Sequence, residues 1–229
     1  GLINIYKRYG FEEYAEKSTS NGVEKVLLKD LSKCWKDSIL NYPKINLNSN
    51  VYLLSIRPEY HTRMFPDSIL NNESFDIVED VSHTNSIDKI YICKMNGVNG
   101  LKKNDLILIY RTSDGQGPAA YRSVATSICT VQDVKSSREF KTFDDYKNYC
   151  KNYSIFTDKK LKELFNSRYE YFVIKMTYNI ALSKKIIRKK LIETIGIRQD
   201  EYWGFLNLRK EQLENILKIG QVNPGYIIC

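Results

Sequence analysis

Residues 106–134 read LILIYRTSDGQGPAAYRSVATSICTVQDV. LILIYRT is an apolar run of strand length, and YRSVATSICTVQDVKS alternates as a long strand does. Between them SDGQGPAA holds Gly115, Gly117 and Pro118 and no large apolar side chain, so it reads as a loop. Two long strands joined by a flexible loop are the centre of the reading.

Upstream, VYLLSIR (51–57) predicts a central strand. Pro58 suits a helix start, because its missing N–H would be orphaned there anyway. EYHTRMF makes a short helix halted by Pro66. Residues 67–86 are acidic and rich in Ser and Asn and read as a long loop, and IDKIYICK (87–94) is a strand. Downstream, 142–150 and 157–166 predict two short helices and YEYFVIKMTYNI (169–180) a strand. SKKIIRKKLIETIGI opens as a basic, helix-like segment. WGFLNLRKEQLENILKIG ends in a helix stopped by Gly220, and VNPGYIIC adds a short strand. The fold class is α/β in the α+β sense.

The first residues stand apart. LINIYKRY predicts a helix before Gly10, and EEYAEKST and VEKVLLKDL flank Asn21-Gly22, a strong hairpin signal. The organisation predicted is a helix–hairpin piece over 1–31, a linker rich in Asn and Ser over 32–50, and a main domain over 51–229. The chain opens on Gly1, which reads as a boundary with further residues before it.

Of 229 residues, 42% are hydrophobic and 27% charged, enough to build a core without disulfides or metals. The formal charge of +8 favours polyanionic partners. The five cysteines show no C-x-x-C spacing and read as free thiols in the reducing cytoplasm. The two histidines, His61 and His83, give no metal-site spacing. No signal peptide or long apolar run is present, so membrane spanning is not expected.

The order SIRPEYHTRMF, then LILIYRTSDGQGPAAYRSVATSICTVQDV, then YWGFLNLRKEQLENIL resembles the PUA-like superfamily near its ASCH and EVE branches. The resemblance covers about four fifths of the chain. It implies a strongly twisted, mixed β-barrel with peripheral helices. Many ASCH domains follow the first helix with Gly-Lys-Lys and Glu-x-Arg; here PDSILNNESF (66–75) stands instead. The lysine of the amide-hydrolysing members therefore has no match. IYKRYGFEEYAEKSTSNGVEKVLLKDL (5–31) is similar to the end of a GNAT-type acyltransferase domain. That likeness makes Tyr6 the general acid toward the departing thiolate of coenzyme A and Gly10-Phe11 the following turn. The pyrophosphate loop of such domains is absent here, so this stretch alone is not expected to catalyse. It needs no cofactor itself, while a longer parent chain would use acetyl-CoA.

A small barrel recognises ligands at its rim. Arg57, Tyr60 and Arg63 lie at the first strand–helix junction, where a guanidinium could clamp phosphate; solvated arginines on an amphipathic helix fit equally. Tyr110, Arg111 and Thr112 enter the glycine-rich loop and Tyr121 and Arg122 leave it. Aromatic and arginine side chains there suit base stacking, and an ordinary barrel core with a hairpin-like loop is the alternative. Lys184, Lys185, Arg188, Lys189 and Lys190 focus positive charge on one face if helical, for phosphates or for solvent alone. Trp203 serves as a base-pocket wall or as a core side chain. No catalytic residue and no metal ligand is assigned to the main domain. The leading expectation is a nucleic-acid-binding module for RNA or a modified nucleotide. The rivals are the substrate-selecting end of an N-acetyltransferase and a protein-interaction domain.

Overall fold

The computed structural model describes residues 2–35, 37–68, 86–151 and 153–228; the predicted loop over 67–86 falls largely outside them. The elements are α1 (Leu2–Arg8), β1 (Glu12–Thr19), β2 (Gly22–Leu28), β3 (Ile45–Asn46), β4 (Val51–Ile56) and α2 (Pro58–Met64). Next come β5 (Asp88–Cys93), β6 (Leu106–Arg111), α3 (Ala119–Arg122), β7 (Val124–Ser136), α4 (Phe143–Cys150) and α5 (Asp158–Phe165). The chain ends with β8 (Phe172–Ile187), α6 (Arg188–Glu193), β9 (Phe205–Leu208), α7 (Lys210–Ile219) and β10 (Ile227–Ile228). They form two compact units, Gly1–Asn46 with Asn223–Cys229, and Leu47–Val222.

In the smaller unit β1 and β2 make their own antiparallel sheet, closed where Thr19 faces Gly22. The backbone there needs a positive φ, which Asn21-Gly22 supplies with Gly22 at 112°. Residues 32–50, read as a linker, contain β3, and β10 pairs parallel to it. Lys29 is the hub of this unit. Its ammonium donates to the carbonyls of Tyr9 (2.5 Å), Leu40 (2.7 Å) and Tyr42. It also lies 5.7 Å, 5.8 Å and 5.9 Å from the ring centres of Phe11, Trp35 and Tyr42. Burial first, and Lys44 second, bring its pKa down to about 8.

The larger unit is built on a six-stranded mixed sheet in the order β5-β8-β7-β6-β4-β9. β4 runs parallel to β6, and the other ladders are antiparallel. Among the described residues β5 and β9 are the edges of this sheet, and no strand pairing joins them to complete the β-barrel expected. Alternation of side chains sorts the core onto two faces. Tyr91 and Cys93 of β5 join Ile174 and Met176 of β8 on one face, with Leu54, Ile56, Met64, Phe65, Ile107 and Ile109. Ile90, Ile92 and Val173 pack on the other face against Tyr146 and Cys150 of α4 and Leu161 and Leu164 of α5. These two helices start where sequence chemistry places them. Thr142 and Thr157 accept hydrogen bonds from the backbone N–H of Asp145 and Lys160. Gly220 closes α7 against β8: a Cβ there would stand 2.9 Å from Leu182 Cδ2, and its carbonyl accepts from Lys184 N at 3.0 Å.

Strand β8 corrects one expectation. Lys184 and Lys185 lie on this strand and do not share a helix with Arg188, Lys189 and Lys190. Opposite them the β7 pairing moves from Ala125↔Ile186 to Ser127↔Ala181. Three extra residues of β8 are thereby accommodated, five steps against two. Tertiary pairing with β7 overrides the helical periodicity that the local sequence suggests.

Replacing Lys29 by Met leaves the three carbonyls without their shared donor. The smaller unit should lose about 1–3 kcal/mol of local stability. Faster amide exchange in β1 and β2, with that of β6 and β7 unchanged, is the expected outcome.

Candidate nucleic-acid interface

At one end of the sheet β6 hands over to the glycine-rich loop, and β8 hands over to α6. The loop is held shut by its own ion pair: Arg122 Nε donates to Asp114 Oδ1 at 2.9 Å, and Nη2 reaches Oδ2. This pair holds Asp114 down at about 2. Pro118 then starts α3, so the loop is shorter than the sequence suggests and its last two residues, Ala119 and Ala120, are helical. α3 packs on α6, and Arg188 N donates to Ser123 O at 2.8 Å.

Trp203 anchors the site. It is 8% exposed, and its Nε1 donates to Arg198 O at 3.2 Å. Its backbone carbonyl accepts from the Ser55 hydroxyl, and Ser55 N donates to Gly204 O at 2.9 Å, which ties the loop before β9 to β4. Tyr110 lies 5.3 Å from the indole, centre to centre, and the Arg188 guanidinium carbon stands 4.3 Å over it. A flat guanidinium on an indole is held by the ring's electron density and keeps its outer edge for another partner. No carboxylate pairs with Arg188 among the described residues. The Tyr110 hydroxyl is buried near Ser123 and Arg188 yet completes no hydrogen bond of good geometry.

Between α3 and α6 runs a groove of about 360 Å³, lined by Ala119, Ala120, Tyr121, Arg188, Lys189, Ile192, Glu193 and Gln199. The alanines leave the space. Tyr121 is 56% exposed; its hydroxyl accepts from Lys189 Nζ at 3.2 Å, and Lys189 also approaches Glu193 at 3.9 Å. Exposed Lys184 and Lys190 and half-buried Lys185 add positive charge on the neighbouring stretch of chain.

Of the predicted residues, the structure thus gathers Tyr121, Arg188 and Lys189 at the groove, with Trp203 and Tyr110 beneath them. Arg111 and Arg122 have other work. Arg111 is buried, with Nη1 3.4 Å from Thr112 O and 3.5 Å from Arg122 O, while Thr112 N bonds to Ile56 O at 3.0 Å. The first helix also serves packing: Tyr60 sits edge-on to Phe156 and Arg63 donates to Ile155 O at 3.1 Å. Arg57 stays exposed beside Glu59, 3.9 Å away. Sequence reasoning missed Ala119, Ala120, Ile192, Glu193 and Gln199. The i,i+4 spacing from Arg188 and Lys189 would have marked Ile192 and Glu193.

His61 lies fully buried, with Nε2 2.8 Å from Thr126 Oγ1, and Thr126 Oγ1 lies 3.5 Å from Ile109 O. If Thr126 donates to that carbonyl, Nε2 carries the imidazole proton, and Nδ1 has no partner. Burial, then Arg111 and Lys185, push its pKa down to about 3.

No family model matches the chain, and no curated protein matches it. Solved structures do. The ASCH protein of Zymomonas mobilis superposes with a TM-score of 0.50 at 9% identity, over 74% of this chain and 94% of that one. The chain shares the fold of that ASCH protein. Two DNA complexes are similar at lower scores. The human THYN1 protein in complex with 5-methylcytosine-containing DNA has a TM-score of 0.41 and 10% identity, over 77% of this chain and 100% of that one. The N-terminal domain of Thermococcus gammatolerans McrB bound to m5C DNA has 0.42 and 9%, over 76% and 98%. The fold assignment rests on the ASCH structure. Nothing in these comparisons supports the acyltransferase likeness of residues 1–31. Among the described residues, no helix is long and apolar enough to cross a membrane.

The ASCH-type sheet should respond to acid through His61 and Asp114. Both pKa values are lowered on folding, so the unfolded chain binds the extra protons and stability falls with pH. For His61 the loss runs from about 6.5 down to 3; for Asp114 it runs from about 4 down through 2. His61→Gln should flatten the upper part of the curve, by up to about 1.4 kcal/mol per pH unit. Denaturant titrations at pH 4, 5 and 6 read this slope.

Proposed function

We propose that this chain binds single-stranded RNA or an accessible modified nucleotide, with one base held in the groove between α3 and α6. The observation that carries this reading is the exposed Tyr121 ring facing a groove that also presents Arg188, itself seated on Trp203. A base stacks on aromatic rings and guanidinium planes. The outer edge of Arg188, with Lys189 and Lys190 nearby on α6, meets phosphate. A volume of about 360 Å³ suits a small ligand such as one nucleotide and not the side of a duplex. The positive net charge draws such a ligand in from solution. The free thiols Cys34, Cys93, Cys129 and Cys150 fit a reducing compartment such as the cytoplasm, where we place the protein.

The residues contribute differently, and titration against RNA, single-stranded DNA and duplex DNA at two salt concentrations separates them. Tyr121→Ala should cost about 1–3 kcal/mol of RNA affinity, the worth of one base–aromatic stack. The double substitution of Lys189 and Lys190 by Ala should weaken every sequence alike. It should lower the salt slope by about 0.7 for each phosphate that is no longer neutralised. A well-folded protein that binds none of the three at low salt would end this reading.

Tyr110→Phe isolates the unpartnered hydroxyl. In the free protein it removes a buried polar atom without a partner, so the melting temperature should stay level or rise. A fall in RNA affinity alongside that unchanged stability shows that the buried hydroxyl helps position Arg188 for the ligand.

A further inference from the structure

The loop between α6 and β9 lines a second groove, of about 370 Å³, which the nucleotide site above does not use. Gln199 of this loop faces the first groove, while Gly196, Arg198 and Tyr202 line the second, opposite Asn207, Arg209 and Gln212. Trp203 underlies both, through Arg188 over its ring and Arg198 O on its Nε1.

Three features make the second groove a prepared surface. Tyr202 is 59% exposed, yet its ring is placed closely: a Cβ on Gly204 would stand 2.4 Å from Tyr202 Cζ. Glycine at that position leaves room for the hydroxyl end of the ring beside the backbone, while the residue stays open to solvent. Second, the two lips form one hydrogen-bonded unit. Gln212 Nε2 donates to Gly196 O at 3.1 Å, and Gln212 Oε1 accepts from Arg209 N at 2.9 Å. Third, two arginines line the groove, and one of them is only loosely paired. Arg198 is paired bidentately with Asp200, whereas among the described residues Arg209 forms its ion pair with Glu211 at 3.8 Å, both side chains largely exposed. An ion pair that open contributes little and exchanges readily for a phosphate. With Arg198 engaged, Arg209 is the one of the two lining arginines positioned to do this, in a groove that Glu201 also lines.

From these we infer that the second groove is a subsite for a second nucleotide of the same single strand, one to three steps away, its base on Tyr202 and its phosphate at Arg209. The inference rests on the reading of the first groove. From Gln199 to Tyr202 the chain spans three residues, at most about 11 Å. A stacked strand advances about 3.4 Å per nucleotide, so one strand of two to four nucleotides reaches from one groove to the other.

Binding of a mixed-sequence RNA mononucleotide pool and a tetranucleotide pool, measured by calorimetry, tests this with Tyr202→Ala and Arg209→Gln. Both positions are exposed, and thermal melts check that the variants stay folded. Tyr202→Ala should weaken the tetranucleotide about 5- to 150-fold, the range of a lost base stack, and leave the mononucleotide unchanged. Arg209→Gln should lower the tetranucleotide salt slope by about 0.7, one phosphate on a single strand. Mononucleotide binding with tetranucleotide affinity untouched by either change overturns the second subsite and leaves the first groove standing. Equal weakening of both lengths by Tyr202→Ala also overturns it, because Tyr202 then belongs to the first site. Binding of neither length by the unaltered protein removes the first-groove reading, and the subsite with it.

Discussion

Strand β8 pairs on both sides over its first half and on one side thereafter, and most of the larger unit follows from that. From Phe172 to Thr177 it serves β5 and β7 together, so its backbone is satisfied on both edges and its side chains are divided between two cores. Past Ala181 the β7 ladder is interrupted, three extra residues are taken up, and the backbone finds Gly220 O instead. When pairing resumes at Ile186, the strand is re-aimed and passes directly into α6. A bulge is the usual means of turning a side chain at the end of a sheet. Here it sets Arg188 over Trp203.

The site is therefore made by partition of arginines. Arg122 is locked to Asp114, Arg111 is enclosed against backbone carbonyls, and Arg63 holds the segment at Ile155. Arg188 alone of these four rests on an aromatic ring. Stacking fixes a guanidinium in direction without consuming its in-plane donors, whereas a bidentate carboxylate consumes them. Charge counts read from composition cannot make this distinction, since each residue adds the same unit to the net +8.

The two units differ in how they are held. The larger has faces of buried aliphatic side chains, the ordinary result of burying apolar area. The smaller leaves Leu2, Ile5, Tyr14, Val23 and Leu28 exposed and gathers around one lysine, its three carbonyls and its aromatic neighbours. A two-stranded hairpin is marginal by itself, and the hub ties Lys29, just after β2, to the backbone at Tyr9, Leu40 and Tyr42, beside the buried Tyr9 and Ile45.

The sequence by itself determined five of the six strands of the larger sheet, all but β9, the hairpin at Asn21-Gly22, the two helices near 142–150 and 157–166, and Tyr121, Arg188 and Trp203 as residues of interest. Those signals are local: periodicity and glycine at positive φ. Only the tertiary structure decided that Lys184 and Lys185 are strand, because the β7 ladder holds β8 extended on either side of them and Gly220 O takes the Lys184 N–H. It alone decided that Tyr60 and Arg63 pack against Ile155 and Phe156, some ninety residues away, while the groove opens between α3 and α6. Whether an arginine faces a ligand or a carbonyl depends on what long-range folding brings beside it, and no spacing along the chain encodes that.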